Sequence, residues 1–250
     1  MTRFRLSTIL LALLLLLSAC STTSTAVKER AEGKRKLGMQ LMSQGETTEA
    51  LKELLEAEKV YADDPELQND LGYAYLAKEK PELAVEHFQK ALRLKPDFGE
   101  ARNSLGVTYL ELGNPDAAIA ALLPLTEDLL YPTPHFPLTN LGLAYYRKGQ
   151  YDESVRYYLA ALKERPRFLK AMRGLGLTYM AMGKGVEAVG ILRKAVELAP
   201  KAQLLYMDLA RAYRLAGDIP GAEETYRALV RMDPYSDTAA EARKALQGLK

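Results

Sequence analysis

Cysteine occurs once in the 250 residues and histidine twice. A single thiol excludes an internal disulfide, and so few soft ligands leave almost nothing with which to build a zinc, haem or iron–sulfur centre. Net charge is equally scarce. The 34 Lys and Arg residues stand against 32 Asp and Glu, and losing Arg3 and Arg5 with the leader described below leaves the two signs equal. A neutral chain gains little from counterion release, which argues against nucleic acid as the main partner. No apolar stretch is long enough to span a bilayer: Leu6 to Leu17 makes a helix of roughly 18 Å, against a hydrocarbon core of roughly 30 Å. What is present in quantity is ordinary for a folded chain, with 48% hydrophobic and 26% charged residues. Disorder over most of the length is excluded, and the length allows one to two compact domains or one repeat array.

The stretch led by Arg3 and Arg5 has the layout of a signal peptide, charged start before apolar middle. It ends in Leu17-Ser18-Ala19-Cys20. This ending resembles the lipobox of bacterial lipoproteins, in which small residues precede an invariant cysteine. The resemblance implies a signal peptide over residues 1–19, thioether lipidation of the Cys20 sulfur and acylation of the new amino group. The alternative is an ordinary secretory signal followed by a stray buried cysteine. The sole cysteine of the chain falls where lipid attachment requires it, which favours the lipoprotein. Two or three acyl chains, at about 0.8 kcal/mol per buried methylene, make release from a bilayer negligible. In lipoproteins an aspartate after the cysteine commonly signals retention in the inner membrane. Ser21 therefore implies an outer-membrane anchor; the repeat domain is expected to face the periplasm, while the leaflet that holds Cys20 is left open by the sequence. Residues 20–30 are expected to be the lipidated cysteine and a tether, small and polar from Ser21 to Thr25.

Self-similarity dominates the remainder. A Leu-Gly pair recurs at Leu37-Gly38, Leu71-Gly72, Leu105-Gly106, Leu141-Gly142 and Leu175-Gly176, and Leu209-Ala210 continues the series. Successive spacings are 34, 34, 36, 34 and 34 residues. Three residues after each pair come Leu41, Tyr75, Tyr109, Tyr145, Tyr179 and Tyr213. Twelve after come Ala50, Ala84, Ala118, Ser154, Ala188 and Ala222. Sixteen after come Leu54, Phe88, Leu122, Tyr158, Leu192 and Tyr226. The pattern resembles the tetratricopeptide repeat. The fold expected is all-α: a solenoid of about six helix-turn-helix repeats over residues 31–236, closed by a C-terminal capping helix over 237–250. The physics agrees. Gly or Ala in the first helix (helix A) lets the second (helix B) approach, and the bulky residue of helix B fills the space. Gly45, Gly113, Gly149, Gly183 and Gly217 stand where helix A ends, a left-handed position that favours glycine. The second repeat has Glu79 there instead. Pro81 and Pro115 fall in the first turn of helix B, where a missing N–H costs nothing. Ser236 is the expected N-cap of the last helix, which reaches about Gln247.

The third repeat departs from the rule. Pro124 lies ten residues into helix B, where proline breaks or kinks a helix at about 3 kcal/mol. A two-residue insertion then surrounds Leu130-Tyr131-Pro132, near residues 130–137, and Pro134-His135-Phe136-Pro137 reads on as an extended connection. It is either a tolerated loop or an edge that shapes a binding surface. The lipobox, the six repeats and Leu-Tyr-Pro before Asn140-Leu141-Gly142 are together similar to the PilF/PilW/Tgl group of type IV pilus assembly lipoproteins. That resemblance implies a pilotin: a protein that helps the secretin, the outer-membrane pore for the pilus, to reach its membrane and multimerise.

The resemblance to tetratricopeptide repeats implies that a partner segment lies in the groove lined by the A helices, and helical periodicity marks the residues of that face. Its candidates are Asn69, Tyr73, Asn103, Val107, Leu143, Tyr146, Arg173, Leu177 and Arg211. Charge changes sign along the series, from Glu66 and Glu100 to Lys170, Arg173, Arg211 and Arg214. This suits an amphipathic or extended protein segment. The Lys/Asn set that clamps a C-terminal carboxylate in chaperone-binding repeats is absent. No catalytic set is legible either. His87 and His135 are isolated, Gly174-Leu175-Gly176 lacks the third glycine of a dinucleotide fingerprint, and the acidic residues show no metal-loop spacing. The expectation is a scaffold that is not an enzyme, with no cofactor and no small-molecule substrate. Its partner is a secretin, or alternatively a cell-wall enzyme or a component of another envelope or polysaccharide export machine.

Overall fold

The computed structural model describes residues 25–249; the signal peptide, Cys20 and Ser21 to Ser24 lie outside the described residues. All regular structure among the described residues is helical. The first helix, α1, covers residues 25–44. It is followed by α2 (Thr47–Val60), α3 (Pro65–Ala77), α4 (Pro81–Leu94), α5 (Gly99–Glu111) and α6 (Pro115–Leu122). A short 3₁₀ turn, Leu123–Thr126, precedes α7 (His135–Arg147), α8 (Tyr151–Glu164), α9 (Leu169–Ala181), α10 (Gly185–Leu198), α11 (Gln203–Leu215), α12 (Ile219–Met232) and α13 (Asp237–Gln247). Odd-numbered helices up to α11 are the A helices and even-numbered ones the B helices, as the repeat predicts. The chain divides into two compact units between Thr108 and Tyr109, and each is described by itself.

The small residue of helix A is required by contact. In the first unit a methyl group built on Gly72 would sit 2.5 Å from Phe88 Cε1, and one on Gly38 would sit 2.8 Å from Leu54 Cγ. In the second unit Gly142 meets Tyr158 at 2.8 Å and Gly176 meets Leu192 at 2.6 Å in the same way. Each is the partner sixteen residues on. Neither unit has a single central core among its described residues. Apolar clusters form between neighbouring helices instead, around Leu54, Leu67 and Leu71 in the first unit. In the second they form around Leu122 and Leu141, Tyr158 and Leu175, Leu192 and Leu209, and Tyr226 and Leu229.

The turns from A to B are alike in their hydrogen bonds. The residue after the left-handed position donates to the carbonyl three places inside helix A: Glu46 to Leu41 at 3.0 Å, Asn114 to Tyr109 at 2.8 Å, Gln150 to Tyr145 at 3.0 Å. These are Schellman closures, and glycine supplies φ of +71° to +83° at five of them. Lys80 donates to the Tyr75 carbonyl at 2.9 Å in the same manner, but here Glu79 carries a φ of +56°. A side chain in that region costs about 1 kcal/mol or more.

Three expectations are corrected. The tether does not extend to residue 30: α1 already includes residue 25. Ala26, Lys28, Glu29, Arg30, Ala31 and Glu32 are helix-favouring residues, Ala31 is buried, and the Lys28 ammonium lies 5.2 Å from the Tyr61 ring centre. The insertion is not one extended run. Tyr131 N–H donates to the Asp128 carbonyl at 3.2 Å and Phe136 N–H to the Thr133 carbonyl at 3.1 Å, so it is a pair of tight turns. His135, Phe136 and Pro137 belong to α7, because Pro137 is its third residue and its missing N–H would have no intrahelical acceptor. Pro124 acts as expected. It cuts α6 to 8 residues where the other described B helices have 14, and the 3₁₀ turn still carries Leu125 into the cluster of Leu122 and Leu141. Ser236 caps α13 by accepting from Ala239 N–H at 3.1 Å.

Two substitutions test this packing by urea unfolding. Gly72→Ala forces Phe88 aside and is expected to cost about 1–3 kcal/mol. Glu79→Gly relieves the left-handed position and is expected to add about 1 kcal/mol. A stable Gly72→Ala protein would mean that the helices are not held at this distance.

Candidate functional site

In the first unit, the A-helix face joins α1 and α3 and continues onto the part of α5 up to Thr108. Arg35 Nη1 donates to Asp70 Oδ2 at 2.9 Å. Asn69 Nδ2 donates to Glu100 Oε1 at 3.4 Å, and the Tyr73 hydroxyl donates to the same oxygen at 3.3 Å. The Tyr73 oxygen also lies 2.6 Å from Ser104 Oγ, and its ring stands edge-on to Phe88 at 5.5 Å. Tyr73, Asn103 and Val107 are half-buried. Asn69 is different: it is only 3% exposed, its Oδ1 has no hydrogen-bond partner, and it sits between helices instead of on the open face.

A second polar cluster lies behind this face. Buried Gln68 donates to Glu58 Oε1 at 2.9 Å and to the Ala62 carbonyl at 3.0 Å. Its own oxygen is 2.7 Å from His87 Nδ1, so the proton rests on Nδ1 of a neutral imidazole. Burial lowers the His87 pKa, and Lys90 holds Glu58 from the other side at 2.9 Å. Every member is satisfied by a structural partner, and no nucleophile adjoins the ring.

In the second unit the face is carried by α7, α9, α11 and α13. Lys170 Nζ donates to Asn140 Oδ1 at 3.3 Å. Arg173 Nε donates to Asp208 Oδ2 at 2.6 Å, and Arg211 Nη2 to Glu241 Oε1 at 2.6 Å. Arg211 also lies 3.9 Å from Asp208, so Arg173 and Arg211 meet on one buried carboxylate. Leu143, Tyr146 and Leu177 are half-buried apolar residues between these polar ones. His135 accepts from, or donates to, nothing catalytic. Its Nε2 is 3.2 Å from Arg165 Nη1, its ring packs on Phe136 and Phe168, and burial with the nearby Arg165 lowers its pKa. Among the described residues no group of His, Cys, Asp or Glu could hold a metal ion, and no helix is long and apolar enough to cross a membrane.

The periodic reading did not name the residues that pair with this series in the structure: Arg35, Asp70, Ser104, Asp208 and Glu241. The signal was present. Arg35 to Asp70 and Arg173 to Asp208 are each 35 residues apart, one repeat plus one step, so one A helix reaches the next by the same geometry.

Burial pushes the Asp70 carboxyl up to about 6, from an ordinary 3.8, against the pull of Arg35. An acid whose folded pKa lies above its unfolded one binds more protons when folded, so its contribution to stability falls as pH rises through that window. The stability of the native chain relative to an Asp70→Asn variant is expected to fall by about 2 kcal/mol between about pH 4 and pH 7. Urea titrations of both proteins measure it. A difference that grows with pH would show that the Arg35 pair outweighs burial.

Tetratricopeptide repeat models match residues 35–97, 69–125 and 139–203, and a further one matches 179–247. Among solved structures, PilW, a widely conserved type IV pilus biogenesis factor, aligns with a TM-score of 0.79 and 23% identity over 85% of this chain and 98% of its own. PilF of Pseudomonas aeruginosa aligns at 0.73 and 19%, over 88% and 99%. The CTR9 homologue of Arabidopsis thaliana is 29% identical over 119 residues, 44% of this chain. The chain spans only 11% of that protein and 7% of the human Superkiller complex protein 3, which it also matches. The repeat matches, the sixteen-residue Gly-to-bulky contacts and the six like turns agree: the chain belongs to the tetratricopeptide repeat family of helical protein-interaction scaffolds.

Proposed function

We propose that this chain is an outer-membrane lipoprotein that assists type IV pilus biogenesis by promoting the membrane localisation and multimerisation of the secretin. The carrying observation is the extent of the likeness to PilW and PilF, which takes in nearly the whole of both their chains. A repeat fold alone is shared by many proteins of other roles, so the lipobox at Cys20 and the Leu130-Tyr131-Pro132 insertion are the features that narrow the reading. In this reading Cys20 carries the lipid, the protein is not an enzyme, and the secretin docks on the A-helix faces. Asn103, Tyr73 and Val107 supply contacts from the first unit, and Leu143, Tyr146, Arg173, Leu177 and Arg211 from the second. Half-buried apolar residues flanked by charges provide both affinity and register for a protein segment.

Deletion of the gene is expected to leave secretin protein present but monomeric in outer-membrane fractions, read by heat-resistant multimers on gels. Multimers at normal abundance would refute the secretin role. Recovery of cell-wall hydrolases or export proteins with the tagged chain, alongside normal pili, would then favour the other envelope machines. Cys20→Ala is expected to give a soluble or unprocessed protein. A mature-size mutant that stays with the membranes would contradict the anchor.

A further inference from the structure

A groove of about 420 Å³ lies in the second unit, where α11, α12 and α13 meet. Met207, Arg211 and Arg214 line it from α11, at positions i, i+4 and i+7 of one helical face. Glu241, Lys244 and Ala245 line it from α13, and Tyr226 from α12. On this face Arg173 is paired with Asp208 and Arg211 with Glu241, while Lys170 donates to the amide oxygen of Asn140. Arg214 and Lys244 differ. Neither forms an ion pair among the described residues. Three cations thus share the groove with one carboxylate, which Arg211 already occupies at 2.6 Å. The walls between them are apolar: Met207 and Tyr226 are almost fully buried side chains that reach the groove. Burial pushes the Tyr226 hydroxyl up while Arg214 and Arg211 pull it down, as both guanidinium groups lie near it.

We propose that this groove binds an acidic segment of a partner protein, its side-chain carboxylates held by Arg214 and Lys244 and its apolar side chains resting on Met207 and Ala245. A guanidinium receives a carboxylate through two parallel hydrogen bonds, and an ammonium completes the charge. A phosphate or a lipid headgroup would satisfy the cations but leave the apolar walls unused, whereas a segment mixing Glu or Asp with Leu uses both. The inference rests on the reading that the A-helix faces receive a protein segment, and it adds the chemistry of the part that reaches α13.

The test is calorimetric titration of the full chain with a capped peptide alternating leucine and glutamate, and with its leucine–glutamine counterpart. The glutamate peptide is expected to bind at least about tenfold more tightly than the glutamine one, and to weaken with added salt. The double variant Arg214→Gln, Lys244→Gln is expected to lose about tenfold in affinity while its circular dichroism and melting stay unchanged, because neither side chain forms an ion pair among the described residues. Equal affinity for the two peptides, or an unaffected double variant, would overturn the proposal. So would saturable binding to phosphatidylglycerol vesicles with no binding of the glutamate peptide, which would make the groove a headgroup site. Secretin multimers measured in cells that lack the gene separate the two readings. If the peptide fails to bind while deletion of the gene abolishes the multimers, only the acidic chemistry falls. If the peptide binds as expected but deletion leaves the multimers intact, the secretin role falls and the groove stands.

Discussion

The close approach of helix A to helix B governs this molecule. Gly72 admits the Phe88 ring, Gly142 admits Tyr158 and Gly176 admits Leu192, each so closely that an added methyl group would force the partner side chain to shift. That contact fixes how each hairpin closes, and the closed hairpin then offers a flat apolar flank to its neighbour. Tyr75 from one repeat and Leu54 with Leu67 from the joint before it share a cluster for this reason. Stability is distributed along the chain instead of being gathered in one core, as in other solenoids.

Much of this was legible in the sequence, because the constraint has a fixed period. Leu71-Gly72, Tyr75, Ala84 and Phe88 stand at set offsets, and the same offsets recur with only two residues added. Glycine at Gly113 or Gly149 marks a turn because only a left-handed φ closes it, and even the exception at Glu79 takes that φ. Less was legible where a residue's role depends on the neighbouring repeat. Asn69 has the same position as Asn103, yet it is buried while Asn103 is half-exposed. The start of α1 before residue 30 and the turns around Tyr131 depend on tertiary contacts, Ala31 in its pocket and Tyr131 against the Leu122 cluster, that no periodicity encodes.

The electrostatics follow the same geometry. An A helix reaches the next one through a charged residue one repeat and one step away, so Arg35 finds Asp70 and Arg173 finds Asp208. Burying those carboxylates is costly, and the raised pKa of Asp70 is the visible sign. What the pairing accomplishes is orientation: guanidinium groups are held along the face and Tyr73 is aimed by Ser104 and Glu100. Arg214 and Lys244, which line one groove without an ion pair among the described residues, are the cations proposed to meet an acidic partner.

In the proposed function a protein client docks on the A-helix faces. Photo-crosslinking in living cells tests it most directly, with a benzophenone amino acid placed in turn at Asn103 and Tyr146 on A helices and at Glu86 and Lys194 on B helices. Cross-links to the secretin from Asn103 and Tyr146, and none from Glu86 and Lys194, are the result expected. Cross-links from the B-helix positions alone would contradict the account.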